Sequence, residues 1–371
     1  MNFRLLTLLV ASLIGCNEQP PSVTTPRTDL PNPTKAVSSA PQSTESPRTI
    51  APTEEPSADG KPLTAWIKLL ESELESDRWS AVTAIEKLGP AAKAAVPALS
   101  VTLKDKNALL GVQAAWVLGE IGADAKMAVP ALIERLNAGG FLPSAAAIAL
   151  GKIGPEAKAA VPDLIEVLTG KTEGITFNGA SPVLNAAEAL GKIGPDAKMA
   201  VPALNDALHQ QRGDLRVVAA LALWRIEKRD EPVTVLKKEL TNKDGTVRCA
   251  AAEALWRIQK DPESLAELIA ALKDKDPATK IAAARSLGTI GDEAKRAVPD
   301  LVNALKENTS DVKLAVLWAL EQMGKDAKPA VPRLLELMKD RDVSNLRIRI
   351  KAEDALRKID REAADRFYQQ Q

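Results

Sequence analysis

The 371-residue chain has few side chains that could do covalent chemistry. Its one histidine, His209, rules out histidine clusters, and a Ser-His-Asp relay would have to run through it. His209 stands in LHQQRGD, at the end of an apolar run beside a turn, which suits a solvated helix-terminal imidazole. There is no Gly-x-x-x-x-Gly-Lys-Ser/Thr loop and no Gly-x-Gly-x-x-Gly; the glycines come singly. Carboxylates are plentiful, but their helical spacing makes a solvated face, and only an acid-only hydrolysis stays open as an enzymatic chemistry. No cofactor and no metal are expected. The conspicuous side chains are tryptophans next to arginines, Trp224-Arg225 and Trp256-Arg257, each in the string LWRI. Tryptophan and arginine are the types that most often dominate protein interfaces.

These residues sit inside a repeated phrase. LGKIGPEAKAAVPDL occupies residues 150–164 and LGKIGPDAKMAVPAL residues 190–204; weaker copies begin at Ile85, Leu118, Leu287 and Leu320. Taking the apolar residue before the second glycine as a marker gives Leu88, Ile121, Ile153, Ile193, Ile290 and Met323, and Ile226, Ile258 and Ile359 complete a nine-unit array with steps of about 32–33 residues except where something is inserted. Each unit reads as two amphipathic helices, one opening with Val-Pro and one alanine-rich and ending on the marker. Proline is legal in a first turn, where the backbone N–H has no helical partner to lose. Gly154 and its counterparts suit a left-handed helix stop, with Pro155 barring continuation. Alanine fills the column seven before the marker and leucine or isoleucine the column three before it, so small residues let helices approach while the larger ones bury area. One such pair cannot close a core alone; stacking can.

The pattern resembles HEAT repeats, in the form of the phycobilin-lyase HEAT-like repeat, over roughly residues 62–360. The family's turn acid, Val-Arg and Ala-Ala-x-Ala-Leu stand here as Asp244, Val247, Arg248, Ala251, Ala252, Ala254 and Leu255. The resemblance implies an all-α solenoid of about nine helix pairs over residues 62–371. It also implies that acid–base columns tie neighbouring repeats, making Arg78, Arg216, Arg248, Lys280, Lys313 and Arg349 structural. In HEAT arrays the second helices line the concave surface. One position before the marker this face carries Lys87, Glu120, Lys152, Lys192, Arg225, Arg257, Thr289, Gln322 and Lys358. Five before it come Trp116 and Trp318, with Leu221, Glu253 and Arg285 between. The candidate partner-binding residues are therefore Trp116, Trp224, Arg225, Trp256, Arg257, Arg285 and Trp318, with Phe177 in the insertion GKTEGITFNGASP at 170–182. Trp224 and Trp256 replace the glycine of the phrase, either as a contact patch or as filling for altered corners.

The first sixty residues differ. Arg4 is followed by the apolar run Leu5–Ile14, too short to span a bilayer, and then by Gly15 and Cys16. Leu13-Ile14-Gly15-Cys16 resembles a bacterial lipobox, which implies a signal peptide at 1–15, lipidation of Cys16 and attachment to a membrane, with Asn17 similar to the outer-membrane pattern. Residues 17–60 hold nine prolines and thirteen serines or threonines, the composition of a disordered tether (16–61) reaching roughly 35–40 Å as a flexible coil. Cys249 shares an apolar column with Val217 and Ile281 and reads as a buried thiol.

A zero net formal charge gives no whole-molecule field for a nucleic acid. The leading expectation is a lipid-anchored, non-enzymatic scaffold of the bacterial cell envelope holding a protein partner on the concave face. The alternatives are a lyase-like enzyme or chromophore-attachment accessory, and a glycan-binding module that uses the tryptophans as stacking platforms.

Overall fold

A computed structural model describes residues 55–170, 181–210, 212–307, 309–340, 342 and 345–369. Cys16, the tether sequence before residue 55 and Phe177 lie outside them. Ser57–Gln371 forms one compact unit.

The nine markers close nine long helices: α2 (Glu75–Leu88), α4 (Ala108–Ile121), α6 (Leu142–Ile153), α8 (Pro182–Ile193), α10 (Gly213–Glu227), α12 (Gly245–Gln259), α14 (Pro277–Ile290), α16 (Ser310–Met323) and α18 (Leu346–Ile359). Short helices alternate with them: α1 (Leu63–Leu69), α3 (Val96–Thr102), α5 (Val129–Leu136), α7 (Val161–Leu168), α9 (Val201–Leu208), α11 (Glu231–Glu239), α13 (Pro262–Ala271), α15 (Val298–Ala304), α17 (Val331–Lys339) and α19 (Arg361–Gln369). The result is an all-α HEAT-type solenoid in two layers, long helices in one and short helices in the other. A two-stranded antiparallel hairpin, β1 (Ser57–Ala58) and β2 (Lys61–Pro62), precedes it. The hairpin belongs to the array, because Trp66 donates its indole N–H to the Ala58 carbonyl at 2.9 Å and Lys87 reaches Asp59. The folded unit thus starts five residues before the expected boundary at 62.

The alanine column (Ala81, Ala114, Ala146, Ala186, Ala219, Ala251, Ala283, Ala352) is fully buried, and so is the leucine column three before the marker, within 2%. Glycine then brings helices closer than alanine could. A β-carbon added at Gly119, Gly151 or Gly191 would lie 3.2, 3.0 or 2.7 Å from the Cα of Ala149, Ala189 or Ala222 on the next long helix. Short helices touch one another little. The long helices therefore form the more closely packed of the two layers.

The corners differ from the expected left-handed stop. Gly154 has φ 73° and ψ −137°, a glycine conformation outside the left-handed helical well, and it leads into a seven-residue 3-10 segment before the Val-Pro helix. The same segment recurs at Gly89–Ala95, Gly122–Ala128, Gly194–Ala200, Gly291–Ala297 and Gly324–Ala330. Left-handed stops do occur where the phrase is lost: Lys228 (φ 57°, ψ 30°) ends α10 and Lys260 (φ 54°, ψ 39°) ends α12.

The basic column is structural in a different way from the one expected. Asp244 and Asp276 cap their own helices, and the cations pair with other acids. Arg78 grips Asp105 with two bonds of 2.7 and 3.1 Å and also donates to the Ser72 carbonyl. Arg216 does the same with Glu239 and the Gln210 carbonyl, and Arg248 with Asp274, Glu267 and the Asn242 carbonyl. Each arginine fastens the start of a long helix to the loop before it and to the short helix after it or the loop that follows that helix. Lys280 reaches Glu307 at 2.9 Å, and Arg349 donates to the Asp340 carbonyl.

Candidate functional site on the long-helix layer

Repeats five and six, α10 to α13, depart from the pattern. Where α4, α6, α8 and α14 have glycine two before the marker, these have Trp224 and Trp256, and no 3-10 segment follows. An indole cannot occupy a gap that hardly admits a methyl group, so α10 and α12 are less closely packed than the pairs on either side. Both rings are half-buried between helices. Lys228 Nζ stands 3.5 Å from the Trp224 ring centroid, at cation–π range. The Trp256 indole donates to Glu293 at 3.0 Å, and Lys260 joins the same carboxylate.

Beside the tryptophans runs a row of charges. At the position before the marker stand Lys192, Arg225 and Arg257 on α8, α10 and α12. Four residues earlier on the same helices come Glu188, Leu221 and Glu253, an i,i+4 arrangement that pairs side chains on one helix face. Lys192 meets Glu188 at 3.1 Å and Arg257 meets Glu253 at 3.0 Å. Arg225, with leucine in place of the acid, makes no hydrogen bond or ion pair among the described residues, and it is half-buried. Burial works against ionisation of Glu188, but Lys192, Arg225 and Arg257 hold its carboxyl below the usual range. Burial pushes Glu253 up, and Arg257, a hydrogen bond with Ser286 and Arg225 only partly offset it. The row is one electrostatic unit across three repeats, continued on α14 by exposed Arg285.

The remaining tryptophan candidates are more enclosed. Trp116 is 5% exposed, its indole N–H is unpaired, and Lys152, bound to Glu120 at 2.6 Å, lies 3.5 Å above its ring. Trp318 is half-buried against α14, where a β-carbon at Gly288 would fall 2.5 Å from its Cζ3. His209 is exposed at the end of α9, with Nδ1 2.8 Å from the Asn205 carbonyl. Cys249 is fully buried, and burial raises its thiol to about 12. Among the described residues no three His, Cys, Asp or Glu side chains gather as a metal site requires, and no helix is long and apolar enough to cross a membrane. The short-helix layer has an open groove of about 450 Å³ lined by Pro262, Ala266, Ile269, Lys273 and Arg296. Glu188 escaped the sequence reading although it lies in the same column as Glu253; following that column through every repeat would have found it.

Residues 233–321 match the family model for HEAT repeats, and residues 112–138 and 142–170 match the PBS lyase HEAT-like repeat. No curated protein matches the chain. Among solved structures, a chain of the CpcE–CpcF complex of phycocyanin lyase from Nostoc sp. PCC7120 is 27% identical over 68% of this chain and 99% of that one, with a TM-score of 0.46. An engineered protein is 23% identical over 83% of this chain and 91% of that one, at 0.37. A chain of the Kap95p–RanGDP structure is 14% identical over 84% of this chain and 48% of that one, also at 0.37. The chain is thus an all-α HEAT-type helical-repeat solenoid, with HEAT repeats over 233–321 and PBS lyase HEAT-like repeats over 112–138 and 142–170.

Proposed function

We propose that this HEAT-repeat scaffold is anchored to a membrane of the bacterial cell envelope through lipidated Cys16 and holds a protein partner along its inner, long-helix face. Solenoids of this kind use extended curved surfaces for binding. The observation that carries the reading is the row Lys192, Arg225, Arg257 with Trp224 and Trp256, which crosses successive long helices and keeps access to solvent. The anchor rests on the sequence Leu13-Ile14-Gly15-Cys16. Partner binding is tested by copurification from the native envelope, comparing the intact chain with an Arg225→Glu, Arg257→Glu variant of equal melting temperature. A defined protein retained only by the intact chain supports the scaffold; equal retention removes the inner face from consideration. Labelling with a radioactive fatty acid tests the anchor: incorporation that disappears in Cys16→Ser supports it, and incorporation indifferent to that change refutes it.

A further inference from the structure

Lys192, Arg225 and Arg257 occupy one column on three successive helices, and only the outer two have a carboxylate four residues earlier on the same helix. Leu221 leaves the Arg225 guanidinium with its donors unspent. Arg285 on α14 is likewise without a hydrogen bond or ion pair among the described residues; its side chain reaches solvent, while burial of the guanidinium lowers its pKa and Asp311 partly offsets that. Although the chain as a whole is neutral, this part of the inner face carries a local positive excess: Lys192, Arg225, Arg257 and Arg285 against Glu188, Glu253 and Asp311. Helices in one layer stand about 8–10 Å apart. With α12 between α10 and α14, these two guanidinium groups are roughly 20 Å apart. An extended chain rises about 3.3 Å per residue and covers that distance in about six residues.

We infer that the inner face of repeats five to seven takes an extended acidic peptide segment of the partner, one carboxylate docking on Arg225 and a second, about six residues away, on Arg285. This rests on the scaffold reading above and names the chemistry of its occupant. A guanidinium presents a planar fork that matches a carboxylate with two parallel bonds. Glu188 and Glu253 flank Arg225 and repel a dense polyanion, so a sparse acidic segment fits better than a nucleic acid, whose duplex carries a charge about every 1.7 Å.

The test is selection of a displayed random 12-residue peptide library on the full chain, followed by affinity measurements on the winners. Peptides with two acids five to seven residues apart are expected. Each should bind the Arg225→Gln and Arg285→Gln variants about tenfold or more weakly, the loss typical of a charge-assisted pair. Leu221→Glu, which keeps Arg225 but gives it an internal partner, should weaken binding similarly while leaving the melting temperature near that of the parent. Arg225→Lys should recover only part of the affinity, because the charge returns without the fork. Selected peptides that lack acids, or that bind these variants as tightly as the parent, overturn the acidic segment and leave the scaffold standing. A library that yields no binder overturns both, as does a single-stranded 12-mer oligonucleotide that binds the parent more tightly than every selected peptide.

Discussion

Gly191 lies so close to Ala222 that a β-carbon on it would meet the Ala222 Cα at 2.7 Å, and the same position two repeats on is Trp256. From α4 to α14 this column sets the spacing of neighbouring long helices, tight where it is glycine and open where it is tryptophan.

That spacing gives a graded prediction. In an exposed helix, Gly→Ala gains roughly 1 kcal/mol from propensity. Here the gain meets overpacking that rises as the gap closes, from 3.2 Å at Gly119 through 3.0 Å at Gly151 to 2.7 Å at Gly191, and overpacking costs about 1–3 kcal/mol. Chemical denaturation should find Gly119→Ala near neutral and Gly191→Ala destabilised by about 1–2 kcal/mol; equal effects at the two sites would count against close packing.

The tryptophans should behave as packing residues as well as neighbours of the charge row. Trp224→Ala and Trp256→Ala are each expected to cost about 2 kcal/mol, below the 3–5 kcal/mol of a fully buried ring. A double variant as stable as the parent would mean that both rings lie outside the fold's energetics. Because of this cost, Arg225 rather than Trp224 is the informative site for binding.

Arg248, which fastens three segments, should lose about 2–3 kcal/mol as Arg248→Ala. Lys313, in the same column without a hydrogen bond or ion pair among the described residues, should change stability by less than about 0.5 kcal/mol. Equal losses at both would show that the column matters for a reason other than these bonds.

Acid should unfold the array through the same clamps. Burial works against ionisation of Asp105 and Glu239, yet Arg78 and Arg216 hold both carboxyls below their ordinary range. A depressed folded pKa gives stability that is present above the unfolded value of about 4 and is lost as pH falls through the folded one. Melting temperature should therefore hold from neutral down to about pH 4 and then drop. An Asp105→Asn, Glu239→Gln variant should be less stable at neutral pH and fall less steeply below pH 4; an unchanged acid limb would exclude these two groups.

Cys249, buried with a thiol raised to about 12, should resist alkylation at pH 8 in the native protein and react at once in denaturant. Rapid native labelling would show that α12 opens locally.

Most of the architecture was legible in the sequence because a repeat prints the same physical constraint nine times. The markers, the buried alanine column and the Val-Pro helix starts each follow from helix geometry alone. The corner conformation was not legible: a glycine before proline suggests a left-handed stop, and only backbone angles separate that from the 3-10 passage at Gly154–Ala160. The acid partners of Arg78 and Arg216 escaped for a similar reason, since Asp105 and Glu239 lie 27 and 23 residues away. At the candidate site, the positions of Arg225 and Arg257 followed from column arithmetic. That one is paired and the other is not depended on Leu221, which means nothing until α8, α10 and α12 stand side by side.

The most direct test of the scaffold is site-specific photo-crosslinking in the native envelope, with a photoreactive residue at Leu221 on the long-helix face and, separately, at Ala266 on the short-helix face. The account predicts one discrete protein adduct from position 221 and none from position 266. An adduct from position 266 alone, or the same adducts from both, would contradict it.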